Sequence, residues 1–112
     1  MYVKKLGEGP TVPGPYPGIT HYPMANADTG LPEFEIIYSH TAKGNIGKMH
    51  SHPHSGHVQL VLEGSFRVDT PEGKSYDVPA GSAIFILPGE EHEMVNTHDG
   101  TTKYLVVYAP PR

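Results

Sequence analysis

The sequence contains no cysteine, has few basic residues and has no long hydrophobic run. The lack of cysteine excludes disulfides, thiolate zinc sites, cysteine nucleophiles and cysteine-ligated iron–sulfur clusters. The sequence has eight Lys and Arg and twelve Asp and Glu, and the resulting net charge of -4 argues against a nucleic-acid partner. No apolar run approaches the ~20 residues of a membrane span, and the N-terminus lacks the apolar core of a signal peptide. We therefore expect a cytoplasmic protein that does not bind membranes.

Long helices are also excluded, because 13 glycines and 12 prolines are spread over only 112 residues. A chain of this length forms one domain. Residues 7–32 hold six of the prolines and predict an extended segment rather than a helix or a central strand. We expect residues 1–33 to form a Pro-rich N-terminal arm that packs on the body or on a partner subunit, and residues 34–112 to form the folded domain.

From Phe34 onward, short runs rich in β-branched and aromatic residues alternate with Gly, Pro and Asp, which are turn residues. This pattern of short strand-like runs separated by turn residues predicts an all-β barrel or sandwich. A turn is predicted at 43–47. The predicted strands are 34–40, 57–62, 65–69, 75–78, 83–87, 91–96 and 102–108.

Histidine is the most unusual component, with eight copies, four of them within residues 50–57. His50 and His52 are two residues apart, so on an extended backbone both side chains point to one face. His57 can project from the next extended segment and His92 from a later strand, whereas His54 follows Pro53 in a predicted bend. Converging imidazoles of this kind suit Zn, Ni, Cu, Fe or Mn. The alternative is a solvated, histidine-rich surface loop.

These residues bring the sequence close to a known family, because it resembles the small single-domain members of the cupin superfamily. The first cupin motif runs G-x5-H-x-H, three or four residues, E, six residues and G. The sequence reads Gly44, five residues, His50-Ser51-His52, four residues, His57, six residues and Gly64. His57 stands where the family usually has glutamate.

The second cupin motif, G-x5-P-x-G-x2-H-x3-N, is also present. The sequence reads Gly81, five residues, Leu87 in place of proline, Pro88-Gly89, two residues, His92, three residues and Asn96. The two motifs cover residues 44–96, about half of the chain. Each motif alone is weak, and together at these spacings they are specific.

The resemblance implies a double-stranded β-helix, or jelly roll, and one divalent transition-metal ion (Mn, Fe, Ni, Cu or Zn). Carried over by position, the ligands are His50, His52, His57 and His92, with His57 replacing the usual carboxylate. The alternative for His57 is a packed residue in a three-histidine site. Small cupins commonly form dimers that cover exposed sheet edges, so we also expect a homodimer.

The function implied by the resemblance is that of a metal-dependent, dioxygenase-like oxidoreductase acting on a small oxygen-chelating substrate. Four neutral imidazoles leave the full charge of the metal available to enolates, diolates, 1,3-diketonates or carboxylates. One alternative is a non-redox Lewis-acid enzyme of the sugar or uronate isomerase or lyase type. The other is a non-catalytic module that binds a small ligand.

Other residues share the faces of these histidines. Gln59 follows His57 by two positions and is a candidate to hydrogen-bond a ligand imidazole or dioxygen, or else an interior amide paired with backbone. Met94 is expected to pack in the core and Asn96 to fix a strand end. Three tyrosines are candidate pocket aromatics, although aromatics on strands usually pack in the core: Tyr38, Tyr104 and Tyr108. No second ionisable group is clearly placed as a general base.

Overall fold

The computed structural model describes all 112 residues and confirms the all-β prediction. Apart from one 3-10 turn at Ala27–Thr29, the regular elements are strands. The structure contains no helix with the length and apolarity that a membrane crossing requires. The strands are β1 (Val12–Pro13), β2 (Ile19–Ala25), β3 (Glu35–Thr41), β4 (Ile46–His50), β5 (Gly56–Glu63), β6 (Ser65–Asp69), β7 (Ser75–Pro79), β8 (Ala83–Ile86), β9 (His92–Asn96) and β10 (Thr102–Ala109).

The strands form two antiparallel sheets. The larger has six strands in the order β1-β2-β3-β10-β5-β8, and the smaller has four in the order β4-β9-β6-β7. From β3 to β6 each strand lies in the sheet opposite its predecessor, and the same holds from β7 to β10. Each crossing places side chains from both sheets around one interior, and this interior contains the site.

The crossing from β5 to β6 is made by one residue, Gly64, which has a φ of 91°. Only glycine adopts this left-handed conformation without strain. A Cβ atom at this position would also lie 2.4 Å from Thr102 Oγ1. Gly64, the last residue of the first motif, is therefore required by the chain path rather than by the histidines.

Alternating residues of the strands fill the space between the sheets. The two sheets contribute facing apolar side chains, among them Val61 and Val106 from the larger and Phe66 and Val68 from the smaller. The outer face of the larger sheet is also rich in apolar residues, because Ile36 pairs with Val107 and Tyr38 pairs with Leu105. The outer faces of antiparallel sheets are more often polar.

Two parts of the sequence-based assignment need correction. The predicted turn at 43–47 is shorter, because β4 begins at Ile46. Gly44 and Gly47 made this segment read as a turn, but only Gly44 has a positive φ. Much of the Pro-rich segment is also paired: β2 is hydrogen-bonded to β3 along its length, and the register shifts between Pro23 and Ala25. Proline is tolerated at such an irregularity because the ladder is already interrupted there.

Candidate metal centre

His50 and His92 are brought together by strand pairing. His50 is the last residue of β4, His92 is the first of β9, and the two are register partners in the smaller sheet. Their ring centroids lie 4.4 Å apart. The turn at Pro88-Gly89 precedes β9, so the second motif sets where His92 enters the sheet.

His52 completes a cluster of three. It lies two residues beyond the end of β4, and its ring centroid is 5.0 Å from that of His50. One ring nitrogen from each of His50, His52 and His92 lies within 4.8 Å of the others. The structure therefore gathers these three predicted ligands, whereas His54 lies in the turn that follows and is exposed.

Backbone carbonyls orient two of the three rings. His50 Nδ1 lies 2.7 Å from the carbonyl oxygen of Lys48, and His92 Nδ1 lies 2.9 Å from that of Glu90. When Nδ1–H donates to a carbonyl, Nε2 keeps its lone pair, which is the usual arrangement of a metal-binding histidine. Nε2 of His92 is buried and has no hydrogen-bond partner.

His57 lies beside the cluster but is not one of the three. Its ring centroid is 5.1 Å from those of both His52 and His92. The side chain is buried, and neither ring nitrogen has a partner. The predicted four-histidine site is thus supported for three histidines, and ligation by His57 remains a proposal. Two unpartnered nitrogens in a buried ring carry a desolvation cost that a ligand would offset.

Burial keeps these imidazoles neutral. It lowers the pKa of His52 to about 4 and that of His57 to about 3, with neighbouring histidines contributing further. Burial also lowers the pKa of His92, although the hydrogen bond to the Glu90 carbonyl opposes this shift. At pH 7 the rings of His52, His57 and His92 are therefore neutral, which is the form of histidine that ligates metals.

The residues fit a divalent transition metal. Imidazole nitrogens suit Zn, Cu, Fe and Ni, whereas Mg and Ca prefer oxygen ligands. His50, His52 and His92 would hold such an ion, and it would supply Lewis acidity or redox chemistry at that point. The carboxylate of Glu90, two residues before His92, accepts the backbone N–H of Leu87.

A cavity of about 200 Å³ adjoins His50 and His52 on the inner side of the larger sheet. Gln59 lines it, and the Gln59 Oε1 atom is buried without a hydrogen-bond partner. Tyr104 and Tyr108 also line it. The expectation that Tyr38 lines the cavity is wrong. Its position in the alternation of β3 points the side chain to the outer face of the sheet, where Tyr38 packs against Tyr22 and His40.

A second, larger cleft of about 520 Å³ lies on the other side of the cluster, near β7 and β8. His92 lines this cleft rather than the smaller cavity, and Glu72, Glu90 and Glu91 contribute acidic groups. The smaller cavity is the one that contains two of the three clustered histidines together with Gln59.

The cavity also has walls that the sequence analysis missed. Tyr16, Ile19 and His21 come from the N-terminal arm, and Arg112 comes from the opposite end of the chain. The Arg112 guanidinium lies 4.6 Å from the centre of the Tyr108 ring, and its Nε donates to Glu35 Oε1 at 3.2 Å. Alternation within 19–25 puts Ile19 and His21 on one face, but only the pairing with β3 shows which way that face points.

Asn96 has the structural role that was expected of it. Its Nδ2 donates to the carbonyls of Thr41, Ala42 and Gly100, and its Oδ1 accepts from the backbone of His98 and from Thr102 Oγ1. The buried amide ties the end of β9 to the loops beside it. Met94 packs against the core and also reaches the cavity, as its position on β9 predicts.

Comparison with solved structures shows that this fold is shared. The polyketide cyclase RemF from Streptomyces resistomycificus superposes with a TM-score of 0.85 at 27% identity, covering 98% of this chain and 80% of that one. KdgF from Halomonas sp. gives 0.80 at 21% identity, covering 94% and 91%. Ectoine synthase from P. lautus gives 0.80 at 17% identity, covering 100% and 80%. The last two likenesses concern the fold alone.

A search of curated protein sequences finds no significant match. A family model does match: residues 37–108, well over half of the chain, fit the model of the cupin domain. This range runs from β3 to β10, includes both motifs and confirms the predicted jelly roll. The protein therefore belongs to the cupin domain family.

Proposed function

We propose that this protein is a metal-dependent enzyme that acts on a small substrate chelating through two oxygen atoms, such as a 1,3-dicarbonyl compound. The observation that carries the proposal is the cluster of His50, His52 and His92, whose ring nitrogens converge within 4.8 Å. Two of the three open onto a cavity large enough for a small molecule. A site with three protein ligands leaves further positions for a bidentate substrate.

The reaction that we favour is non-redox and takes place at the carbonyl groups. A divalent metal would supply Lewis acidity toward the two oxygens of the substrate. The 27% identity to a polyketide cyclase, over nearly all of this chain, supports this choice. Polyketide chains carry carbonyl groups on alternate carbons, so neighbouring carbonyls form a natural pair of oxygen ligands. In such a ring closure a methylene group loses both hydrogens, a C=C bond to the carbonyl carbon replaces its C=O bond, and the two hydrogens leave with the carbonyl oxygen as water.

The chain's own residues have distinct parts in this proposal. The rings of Tyr104 and Tyr108 shape the cavity, and Phe66 and Val106 make its wall partly apolar, which limits the water around the reacting carbons. The guanidinium of Arg112, held against Tyr108, offers a positive charge to an anionic enolate or carboxylate.

A dioxygenase-like oxidoreductase is the second candidate, and Gln59 favours it. A buried amide without a partner for its oxygen is costly in a structural role. Beside the ligands it can hydrogen-bond a bound substrate or dioxygen. In this case a redox-active metal is needed, and dioxygen is the oxidant.

The test uses full-length protein reconstituted separately with Zn, Mn, Fe(II), Ni and Cu and given a linear 1,3,5-triketone under nitrogen and under air. Loss of one water per molecule under nitrogen, followed by mass spectrometry, supports ring closure. Dioxygen uptake that requires the triketone supports the oxidative alternative. Turnover of sugar or uronate substrates instead would move the assignment to isomerase or lyase chemistry. Binding without turnover would indicate a ligand-binding module, and the enzyme proposal would be overturned.

Two further expectations go with this function. We propose that the chain acts as a homodimer in the cytoplasm, as small proteins of this family commonly assemble. Light scattering coupled to size-exclusion chromatography measures the mass directly. A mass near 12.2 kDa would contradict the dimer, and a mass near twice that value is expected.

A further inference from the structure

His21 lies outside both cupin motifs, and its titratable side chain lines the cavity. It lies on β2, two residues after Ile19, and both side chains line the same cavity as His50 and His52. Strand pairing with β3 sets His21 directly opposite Ser39. The arm thus brings a fifth histidine to the site, from a strand that contributes none of the three clustered imidazoles.

A side-chain hydrogen bond fixes the orientation of this ring. His21 Nδ1 lies 2.6 Å from Ser39 Oγ, and Ser39 is completely buried. Because Nδ1 is engaged, Nε2 is the nitrogen that can meet a ligand in the cavity. The bond to Ser39 is the only hydrogen bond of the His21 ring, so Nε2 has no protein partner. Nε2 is also not one of the buried, unpartnered side-chain atoms of the interior.

The Ser39 hydroxyl lies beside two other buried hydroxyl groups. Ser39 is the register partner of Tyr104, whose hydroxyl lies 3.1 Å from Thr41 Oγ1. Burial raises the pKa of Tyr104 while hydrogen bonding opposes the rise, so the phenol stays protonated at neutral pH. His21 Nδ1–H can donate to the Ser39 oxygen in the tautomer that leaves Nε2 unprotonated.

Burial keeps the His21 ring neutral. Desolvation by burial lowers its pKa most, Arg112 lowers it further, and Glu35 raises it. Arg112 and Glu35 also pair with each other, which weakens both effects. The neutral ring with a proton on Nδ1 is the form that can accept a proton at Nε2.

We propose that His21 is the general base of this site, accepting a substrate proton at Nε2 while Nδ1–H donates to Ser39. The inference rests on the proposed function. In the ring closure described above, the methylene C–H bond breaks, its electron pair enters the enolate, and the proton passes to Nε2. The enolate carbon attacks the second carbonyl carbon, and the imidazolium gives its proton to the resulting alkoxide. Nε2 then takes the second proton of the same carbon, a C=C bond forms, and that proton goes to the hydroxyl as it leaves as water. Ser39 is a positioning residue that selects the tautomer.

The first experiment needs neither metal nor substrate. Nitrogen-15 NMR of the metal-free protein reports which ring nitrogen of His21 carries the proton at pH 7. The proposal expects Nδ1–H with a free Nε2 lone pair, and it expects Ser39→Ala to change that tautomer. A ring that is protonated on Nε2, or on both nitrogens at pH 7, would overturn the proposal whatever the enzyme does.

The second experiment measures ring closure of the linear 1,3,5-triketone against pH, with metal content checked at every point. Loss of a general base costs about 10²- to 10⁴-fold in rate, so His21→Ala and His21→Gln are both expected to lose this much with metal content unchanged. The wild-type rate should fall as the pH drops through the pKa of His21, and this limb should be missing in both variants. Ser39→Ala should lower the rate less.

The matched control is His40→Ala, since His40 lies on β3 next to Ser39 and faces the outer side of the same sheet. Its rate and pH profile should match the wild type. Wild-type turnover that His21→Gln retains in full would overturn the role of His21 and leave the proposed function standing. No turnover by any metal form would overturn the proposed function. The tautomer measurement alone would then test whether His21 carries its proton on Nδ1.

Discussion

His50 and His92 face each other as register partners in β4 and β9, with ring centroids 4.4 Å apart. The two cupin motifs therefore meet in one cross-strand pair. His52 and His57, from the first motif, add neighbouring rings: that of His52 lies 5.0 Å from His50, and that of His57 lies 5.1 Å from His92. Each of these positions has a different expected effect on metal binding and on stability.

Replacement of His52 by alanine should strip the metal. His52 is one of three clustered imidazoles, and a site reduced to two loses most of its affinity. His54→Ala is the matched control because that ring is exposed and outside the cluster. Elemental analysis of both variants, purified without added metal or chelator, measures the outcome. Equal metal retention in the two proteins would rule out the ligand assignment.

His57→Ala separates a ligand from a packed neighbour. If His57 binds the metal, the variant should lose about 10-fold or more in metal affinity, measured by competition with a chromophoric chelator. A three-histidine site predicts unchanged affinity together with the ordinary stability cost of a buried cavity. His57→Gln, which retains polarity and much of the volume, tests whether any loss comes from packing alone.

The metal-free protein should lose stability as the pH falls below 6.5. Folding holds the pKa of His52 near 4 and that of His57 near 3, whereas unfolded histidines titrate near 6.5. Between these values the unfolded state binds more protons, so acid favours unfolding. Urea denaturation of chelator-treated protein at pH 7, 6 and 5 measures the effect. A free energy of unfolding that stays flat or rises over this range would refute it.

Gln59→Leu should separate stability from function. The amide oxygen of Gln59 is buried without a partner, and an apolar side chain of similar size removes that cost. We expect the metal-free variant to be more stable by about 1 kcal/mol in urea denaturation, with turnover reduced. A variant that is less stable and equally active would show instead that Gln59 has a purely structural role.

Asn96→Ala should be among the most destabilising single changes. It removes five hydrogen bonds from a buried amide and leaves carbonyls of the neighbouring loops without their donor. We expect a loss of about 3 kcal/mol or more in the free energy of unfolding. Thr101→Ala is a suitable control, because Thr101 is exposed in the nearby loop and should change stability by less than about 0.5 kcal/mol.

The strands from β5 onward could be predicted from the sequence to within a residue or so, because each is short, rich in β-branched residues and bounded by Gly, Pro or Asp. The sequence did not predict β4, because Gly47 adopts an extended conformation that its residue type does not reveal. β2 was missed because its proline content disguised a paired strand. In both cases a neighbouring strand decides the conformation, which a local pattern does not report.

The residues of the site likewise divide into those that the sequence predicts and those that only the strand pairing reveals. His50, His52 and His92 could be found from motif spacing, since strand pairing and one turn bring them together. His21 and Arg112 could not, because they are 91 positions apart and meet only through the pairing of β2, β3 and β10. Tyr38 was assigned to the cavity from residue type, and the register of β3 places it on the opposite face.

The three clustered histidines and their neighbour His57 come from both halves of the sandwich. His50 ends β4 and His92 begins β9 in the smaller sheet, His52 lies in the connection, and His57 is the second residue of β5 in the larger sheet. An ion that His57 binds together with the three clustered rings would cross-link the two sheets, and their opening would become one event rather than two. Amide hydrogen exchange should then slow together in β4, β5 and β9 when metal is added, while β7, at the far edge, keeps its metal-free exchange rate.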